Sequence, residues 1–176
     1  IELQVDEETE WAEKQEHPLP ETALDHIYSD DNQIDEPGFD TIADKVVIVD
    51  AIYHALKEEM ERNDKMVIYG QDIADPKGGV FTATKGLSDM FGNDRVFNSP
   101  LAESSIVGTA VGMALTGYKP VVEIQFGDYI WTAMMQLRNE VATMRYRSNN
   151  SWACPLVTRV PVGGYIHGAI YHSQSI

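Results

Sequence analysis

Residues 99–117, SPLAESSIVGTAVGMALTG, determine the fold class, because a helix-forming run lies between two short apolar runs of strand character. RVFNSP overlaps its start and KPVVEIQFG follows it, while Gly117 stands where a helix would end. We expect a helix over residues 102–115 with a strand on each side. Strand–helix–strand order without a tight hairpin turn predicts strands that run parallel.

The chain after residue 45 continues this alternation. Apolar spacing predicts a helix within residues 44–64, capped by Asp44, and the run KMVIYGQDI predicts a buried strand. Three further elements complete the pattern: a short helix that ends at Gly92, a long helix over residues 129–148 and a last strand in CPLVTRVPVGG. The predicted fold class is therefore α/β, with a mostly parallel sheet flanked by helices.

The acidic excess of the chain is confined to its first 45 residues. The net charge is −15, and residues 1–45 hold 15 acidic and two basic side chains against 13 and 11 in the remainder. Prolines, many charges and few aliphatic residues predict an acidic linker or arm with low intrinsic order, helical at most over residues 7–15. This acidic leader, residues 1–45, repels phosphate groups, which argues against binding to nucleic acid or a membrane surface.

The cysteine count, the apolar runs and the two ends of the sequence indicate the cellular compartment and whether the chain is part of a longer one. Cys154 is a single cysteine, which fits a reducing compartment, and no apolar run reaches the ~18 residues of a membrane helix. The chain begins at Ile1 without a signal-peptide pattern, and its last residues close no element. We expect a piece of a longer cytoplasmic polypeptide from a bacterium, with the mitochondrial matrix as the alternative.

Polar and aromatic residues follow the predicted strands. Ligands of open α/β sheets bind beyond the carboxyl ends of the strands. A site assembled from the four loops at that edge would hold Asp72, Glu103, Phe126, Asp128, Tyr129 and His172.

Glu103 has two readings. A carboxylate in the first turn of a helix is favoured by ~0.3–1 kcal/mol through the helix dipole, and spacing alone favours that structural role. The functional reading is a carboxyl with a pKa raised by desolvation, poised to share a proton. Its apolar wall would comprise Leu101, Ala102, Ile106 and Val107.

For three further patterns, the spacing of residues does not decide between a structural and a functional role. Phe126 and Tyr129 would share a helix face, as core residues or as rings that flank a flat ligand. The small residues Gly108, Ala110, Gly112 and Ala114 indicate either tight core packing or an interface. His167 and His172 lack the spacing and companion ligands of a metal site, so an acid–base role in the loop is the better interpretation.

Several stretches between residues 65 and 175 together resemble one family. They are GQDIAD…GGVF, DRVFNSPLAESSIVGTAVGMALTGYKPVVEIQFGDYI, NEVATMRYRS and GAIYHSQS. The family is the beta subunit of the thiamin-diphosphate-dependent decarboxylating component of 2-oxo acid dehydrogenase complexes, of branched-chain or pyruvate type. RYRS and YHSQS favour the branched-chain members.

The resemblance implies a domain organisation. Residues 46–176 would form the pyrimidine-binding domain of the transketolase-like thiamin diphosphate fold, cut before the C-terminal transketolase-type domain. Residues 1–45 resemble the tail of an alpha-subunit-like region, which suggests a fused alpha–beta chain. The implied partners are an alpha-type domain that holds diphosphate and Mg²⁺, a second copy in a dimer or heterotetramer, and the lipoyl acyltransferase core.

The resemblance also implies roles for single residues. Glu103 would bond N1′ of the aminopyrimidine, so that its 4′-nitrogen can take the thiazolium C2 proton, and Leu101 would offer a backbone carbonyl to the amino group. Phe126 and Tyr129 would line the pyrimidine, and His172 would handle the substrate or the acyl transfer. Gln71 departs from the family, where many relatives carry Glu in a proton-conducting network.

The implied activity of the parent protein is oxidative decarboxylation of a 2-oxo acid with reductive acylation of a lipoyl domain. The isolated chain is expected to be inactive, because it carries no Gly-Asp-Gly motif for diphosphate and Mg²⁺. The alternatives are a transketolase-like ketol transferase, which shares the cofactor and the glutamate, and a non-catalytic assembly domain.

Overall fold

Four parallel strands form the centre of the protein. The computed structural model describes residues 1–29, 45–164 and 166–173. Within them the sheet has the order β2-β1-β3-β4, and every neighbouring pair is parallel. The strands are β1 (Met66–Gly70), β2 (Val96–Asn98), β3 (Lys119–Glu123) and β4 (Val157–Arg159). This topology confirms the predicted α/β class.

The helices follow the predicted order. They are α1 (Glu2–Glu13), α2 (Ile48–Arg62), α3 (Leu87–Phe91), α4 (Glu103–Leu115) and α5 (Met144–Arg147). The bounds of α4 agree with the predicted helix to within one residue. The predicted cap Asp44 lies outside the described residues, and the residue just before α2 is Val47, which makes no capping hydrogen bond through its side chain.

The prediction of one long helix over residues 129–148 is wrong. The segment divides into a 3₁₀ helix at Gly127–Ala133, a π-helical stretch at Gln136–Val141 and the short α5. Thr143 donates its hydroxyl to the backbone carbonyl of Asn139 inside it, and the Thr132 hydroxyl lies 3.0 Å from the carbonyl of Tyr129. Such bonds compete with the regular helical pattern, which spacing of apolar residues alone does not reveal.

The core lies on both faces of the sheet, because successive side chains of β1 point to opposite sides. One face packs against α2 and α3 through Leu56, Met60, Met66, Ile68, Ile73, Leu87, Val96 and Val121. The other packs against α4 through Val67, Tyr69, Ile106, Ala110 and Val122. A third cluster joins α4 to the 3₁₀ helix through Val107, Ile124, Ile130 and Ala133.

The acidic leader is helical at its start and stays at the surface. Helix α1 begins at Glu2, earlier than the predicted residues 7–15, and buries no residue. The segment 30–44, with Pro37, lies outside the described residues. Among the described helices, none is both long and apolar enough to cross a membrane.

The strand order creates a topological switch point. From β1 the chain moves through α3 to β2 on one side, and then through α4 to β3 on the other side of β1. The loops that leave β1 and β3 therefore diverge at the carboxyl edge of the sheet, where doubly wound folds bind ligands. Helix α4 starts at this edge with Glu103 as its first residue.

Candidate functional site

Glu103 receives one hydrogen bond on each carboxylate oxygen. Gln71 Nε2 donates to Oε1 at 2.6 Å, and Thr132 Oγ1 donates to Oε2 at 2.9 Å. The side chain is half-buried at the start of α4. The two donors come from the loop after β1 and from the 3₁₀ helix after β3, so the fold fixes the plane of the carboxylate.

The expectation of a raised pKa at Glu103 is corrected by this geometry. Burial acts to raise the pKa of the carboxyl, but hydrogen bonds from Gln71, the backbone and Thr132 outweigh it and lower the pKa below its ordinary value. The expected apolar wall is also incomplete, because the Leu101 side chain is 79% exposed while Ile106 and Val107 are buried in the core. Glu103 is therefore ionised at neutral pH.

Gln71 can present only one end of its amide to Glu103. The side chain is 2% exposed, and its Oε1 accepts a hydrogen bond from the backbone N–H of Gln125 at 2.8 Å. An amide has one acceptor oxygen and one donor nitrogen, so this contact turns Nε2 towards Glu103. Gln71 therefore joins β1, β3 and α4 and acts as a fixed donor to the carboxylate.

The two aspartates predicted at this edge have different surroundings. Asp72 Oδ2 accepts hydrogen bonds from Lys77 Nζ and Gln125 Nε2, each at 3.1 Å. Asp128 lies in the first turn of the 3₁₀ helix, and its Oδ2 is buried without a hydrogen-bond partner among the described residues. Neither aspartate hydrogen-bonds to Glu103, so neither forms a carboxylate pair with it.

Three predicted ring side chains do meet. Tyr129 Oη and His172 Nε2 are 3.0 Å apart, and the His172 ring lies edge-on to Phe126 with centroids 4.7 Å apart. Phe126 and Tyr129 are themselves edge-on at 6.0 Å, although the helix between them is 3₁₀ and Phe126 stands just before it. The structure thus assembles Phe126, Tyr129 and His172 into one aromatic group.

The carboxylate and the aromatic group are connected through Thr132. Its hydroxyl donates to Glu103 and lies 3.0 Å from the backbone carbonyl of Tyr129. Sequence reasoning missed Thr132, although its position one helical turn after Tyr129 was a usable signal. Gln125, which orients Gln71, carried no recognisable signal in the sequence.

The other residues that the sequence singled out, His167 and the small residues of α4, are not part of this site. His167 is exposed, with its backbone N–H bonded to the Gly164 carbonyl. Within the described ranges no group of His, Cys, Asp and Glu side chains could hold a metal ion. The small residues of α4 divide: Ala110 and Ala114 are core residues, whereas Gly112 faces open space.

The fold agrees with a comparison against known families. The model of the family described as transketolase, pyrimidine binding domain, matches residues 44–176. This match covers most of the chain, so the chain belongs to that family of α/β domains.

Three curated proteins similar to this chain are beta subunits of 2-oxo acid dehydrogenases. The chain is 52% identical to the 2-oxoisovalerate dehydrogenase subunit beta of Bacillus subtilis over 128 residues, which are 73% of this chain and 39% of that protein. It is 45% identical over 130 residues to the protein of the same name from Pseudomonas aeruginosa, covering 74% of this chain and 37% of that one. It is 41% identical over 132 residues to the pyruvate dehydrogenase E1 component subunit beta of Bacillus subtilis, covering 75% and 40%. The chain spans about two fifths of the length of these curated relatives.

Proposed function

We propose that this chain is the pyrimidine-binding part of the decarboxylating component of a 2-oxo acid dehydrogenase complex. The parent protein would decarboxylate a 2-oxo acid oxidatively and acylate a lipoyl domain. The observation that carries the proposal is the oriented Glu103 carboxylate at the switch point of a chain similar to such beta subunits.

The residues present fit the pyrimidine end of thiamin diphosphate. The Glu103 carboxylate uses one acceptor site on each oxygen and keeps further lone pairs that can accept a hydrogen bond from a protonated ring nitrogen. The rings of Phe126 and Tyr129 suit contact with a flat heterocycle. When bound, the cofactor supplies the electron sink that carbon dioxide loss requires. Mg²⁺ and the diphosphate would be held by the alpha-type domain.

The role of Glu103 in this proposal is to hold a proton at the pyrimidine N1′. Because its carboxyl is ionised at neutral pH, it accepts that hydrogen bond and stabilises positive charge on the ring nitrogen. Gln71 and Thr132 keep the carboxylate plane fixed while the proton is shared. The backbone carbonyl of Leu101 would receive the pyrimidine amino group.

His172 is the second proposed catalytic residue. Its Nε2 lies 3.0 Å from the Tyr129 hydroxyl, and Phe126 limits the ring on one side. An imidazole ring carries nitrogens that can donate or accept a hydrogen bond, so His172 is suited to orient the carboxylate of a 2-oxo acid or to pass a proton during acyl transfer. Tyr129 restricts the ring orientation that either role needs.

The wider arrangement is part of the same proposal. Residues 1–45 would be the tail of an alpha-type region, and residues 46–176 the pyrimidine-binding domain. The partners would be the alpha-type domain, a second copy and the lipoyl acyltransferase core, in a bacterial cytoplasm. The match of residues 44–176 to the family and the similarity to the beta subunits named above support the assignment of the second region.

The test is a substrate panel on the assembled protein. Pyruvate and the branched-chain 2-oxo acids are offered with thiamin diphosphate and Mg²⁺, and reduction of an artificial electron acceptor is followed. We expect turnover with a 2-oxo acid and its loss in Glu103→Ala, while Glu140→Gln, which removes an exposed ion pair to Arg147, stays active. Turnover of ketose and aldose phosphates instead would identify a ketol transferase, and binding without turnover an assembly domain.

A further inference from the structure

A buried ion pair outside the Glu103 group joins three segments. Glu123, the last residue of β3, is 1% exposed, and its Oε2 pairs with the guanidinium of Arg159, the last residue of β4. Its Oε1 accepts a hydrogen bond from the backbone N–H of Val80 at 3.2 Å. One carboxylate therefore connects β3, β4 and the loop over residues 78–84.

The loop is packed directly onto this carboxylate. A Cβ added to Gly79 would lie 2.8 Å from Thr84 Oγ1 and 3.5 Å from Glu123 Oε1. Phe81 has a φ of 56°, a left-handed conformation that non-glycine residues rarely adopt. A conformation of this kind persists where the surroundings impose it, and the Val80 hydrogen bond is one such constraint.

Both segments held by Glu123 lead into walls of one cavity. Phe81 follows Val80 directly, and Pro161 comes two residues after Arg159. A cavity of about 30 Å³ is lined by Phe81, Phe126, Pro161, Val162, Gly163 and His172. The aromatic group of the candidate site thus faces two loops whose anchors share a single carboxylate.

We propose that Glu123 and Arg159 are positioning residues that hold the two loop walls of the His172 cavity at a fixed separation. The kinetic consequence of this inference rests on the proposed function, whereas the structural consequence does not. Neither residue touches the cavity, so both act through Phe81 and through residues 161–163.

The chemistry of the pair explains why removing one partner should open the cavity. Burial raises the pKa of Glu123, and the Arg159 charge opposes that rise. In Glu123→Gln, the amide has one acceptor oxygen for two donors, so either Val80 or Arg159 loses its partner. A buried charge or amide without a partner favours movement towards water.

The experiment compares Glu123→Gln with Glu140→Gln in the assembled protein. The control removes an exposed ion pair of the same chemistry, to Arg147. Amide hydrogen exchange is measured for peptides that cover residues 78–84, residues 160–164 and helix α2. We expect at least tenfold faster exchange in one or both loops of Glu123→Gln, unchanged exchange in α2, and no change in the control.

Kinetics provide a second readout. With a 2-oxo acid we expect KM to rise at least fivefold while kcat changes less than threefold, because the cavity loosens and Glu103 keeps its contacts. If the wild type shows no turnover, the proposed function fails, and loop-selective exchange still supports the positioning role.

Three results would overturn the inference. They are unchanged exchange in both loops, an increase spread evenly over the protein, and a failure to fold shared by Glu123→Gln and Arg159→Lys. The last would identify the pair as an element of global stability. If only Glu123→Gln fails to fold, the same exchange criteria apply to Arg159→Lys.

Discussion

At the scale of single residues, the hydrogen bond from Gln71 to Glu103 has a direction that the fold imposes. The backbone N–H of Gln125 donates to Oε1 of Gln71, so Nε2 of Gln71 donates to the Glu103 carboxylate at 2.6 Å. A carboxylate that receives such a bond is favoured in its charged form. The hydrogen bond from Gln71 is therefore the largest of the contacts that lower the pKa of Glu103.

Replacing Gln71 by Glu should reverse this effect. The new carboxyl would accept from Gln125 and bring a second oxygen to within 2.6 Å of Glu103, where two carboxylates cannot both ionise. The pair would share a proton, and its upper apparent pKa should exceed that of Glu103 alone by at least about one pH unit. The acid limb of the pH profile of kcat/KM should move to higher pH accordingly.

Gln125→Glu is the matched control for this change. It adds the same charge beside Asp72, and the Gln125 side chain hydrogen-bonds Asp72 rather than Glu103. We expect little movement of the acid limb in this variant. An equal movement in both variants would show that general negative charge, and not the bond to Glu103, controls the profile.

At the scale of elements, two glycines that look alike in the sequence have opposite surroundings. Gly70 ends β1 with a φ of 153°, and a Cβ there would lie 2.1 Å from the carbonyl oxygen of Glu123. Gly112 lies within α4, and a Cβ there would meet nothing within 4 Å. The first glycine is required by the close approach of β1 to β3, and the second is not.

Alanine at these two positions should therefore change stability in opposite directions. Gly112→Ala should increase the free energy of unfolding by up to about 1 kcal/mol, because alanine is the better helix former. Gly70→Ala should destabilise the sheet beyond the ~1 kcal/mol of an ordinary substitution, because backbone atoms must move. Denaturant unfolding of both variants measures this, and a tolerated Gly70→Ala would contradict the register of β1 and β3.

Gly112 of helix α4 lies at the surface. The sequence left open whether the small residues of α4 pack the core or form an interface. Ala110 and Ala114 pack the core, but the outward position of Gly112 leaves room for a close approach by another chain. If a partner covers this position, Gly112→Ala should weaken association in sedimentation experiments while the isolated fold gains stability.

At the scale of the whole molecule, the first residues contribute charge and little packing. Every residue from 1 to 15 is exposed, and the hydrogen bonds of α1 are local. Deleting residues 1–15 should change the melting temperature by less than about 2 °C, since surface changes stay within about 0.5 kcal/mol. A larger loss in calorimetry would mean that the segment packs against the body or a partner.

The sequence was sufficient for the order of elements and insufficient for their local geometry. Apolar runs and glycine positions located β1, α4 and β3, because burial on a sheet imposes a strong pattern. They did not show that residues 129–148 break into three helical pieces, since side-chain bonds to carbonyls leave no periodic signal. The bounds of α4 were predictable because this helix is apolar along most of its length.

The meeting of three ring side chains was predictable from the sequence, whereas the residues that orient Glu103 and the electrostatics of its carboxylate were not. Loops at the carboxyl edge of parallel strands had to meet, so Phe126, Tyr129 and His172 could be grouped in advance. The lowered pKa of Glu103 depends on two donors whose orientation is set by Gln125 and by the 3₁₀ helix, which only coordinates reveal. Glu123 and Arg159 were missed because an ion pair between strand ends is a matter of register.

The measurement that tests the central claim most directly is exchange of the thiamin diphosphate C2 proton for deuterium, followed by NMR on the assembled protein. It needs no substrate, so it isolates the role of Glu103 from the choice of 2-oxo acid. We predict that Glu103→Gln slows exchange by at least ~10²-fold, the usual contribution of a positioned acid–base group, while Glu140→Gln matches the wild type. Equal exchange rates in Glu103→Gln and the wild type, with equal cofactor binding, would contradict it.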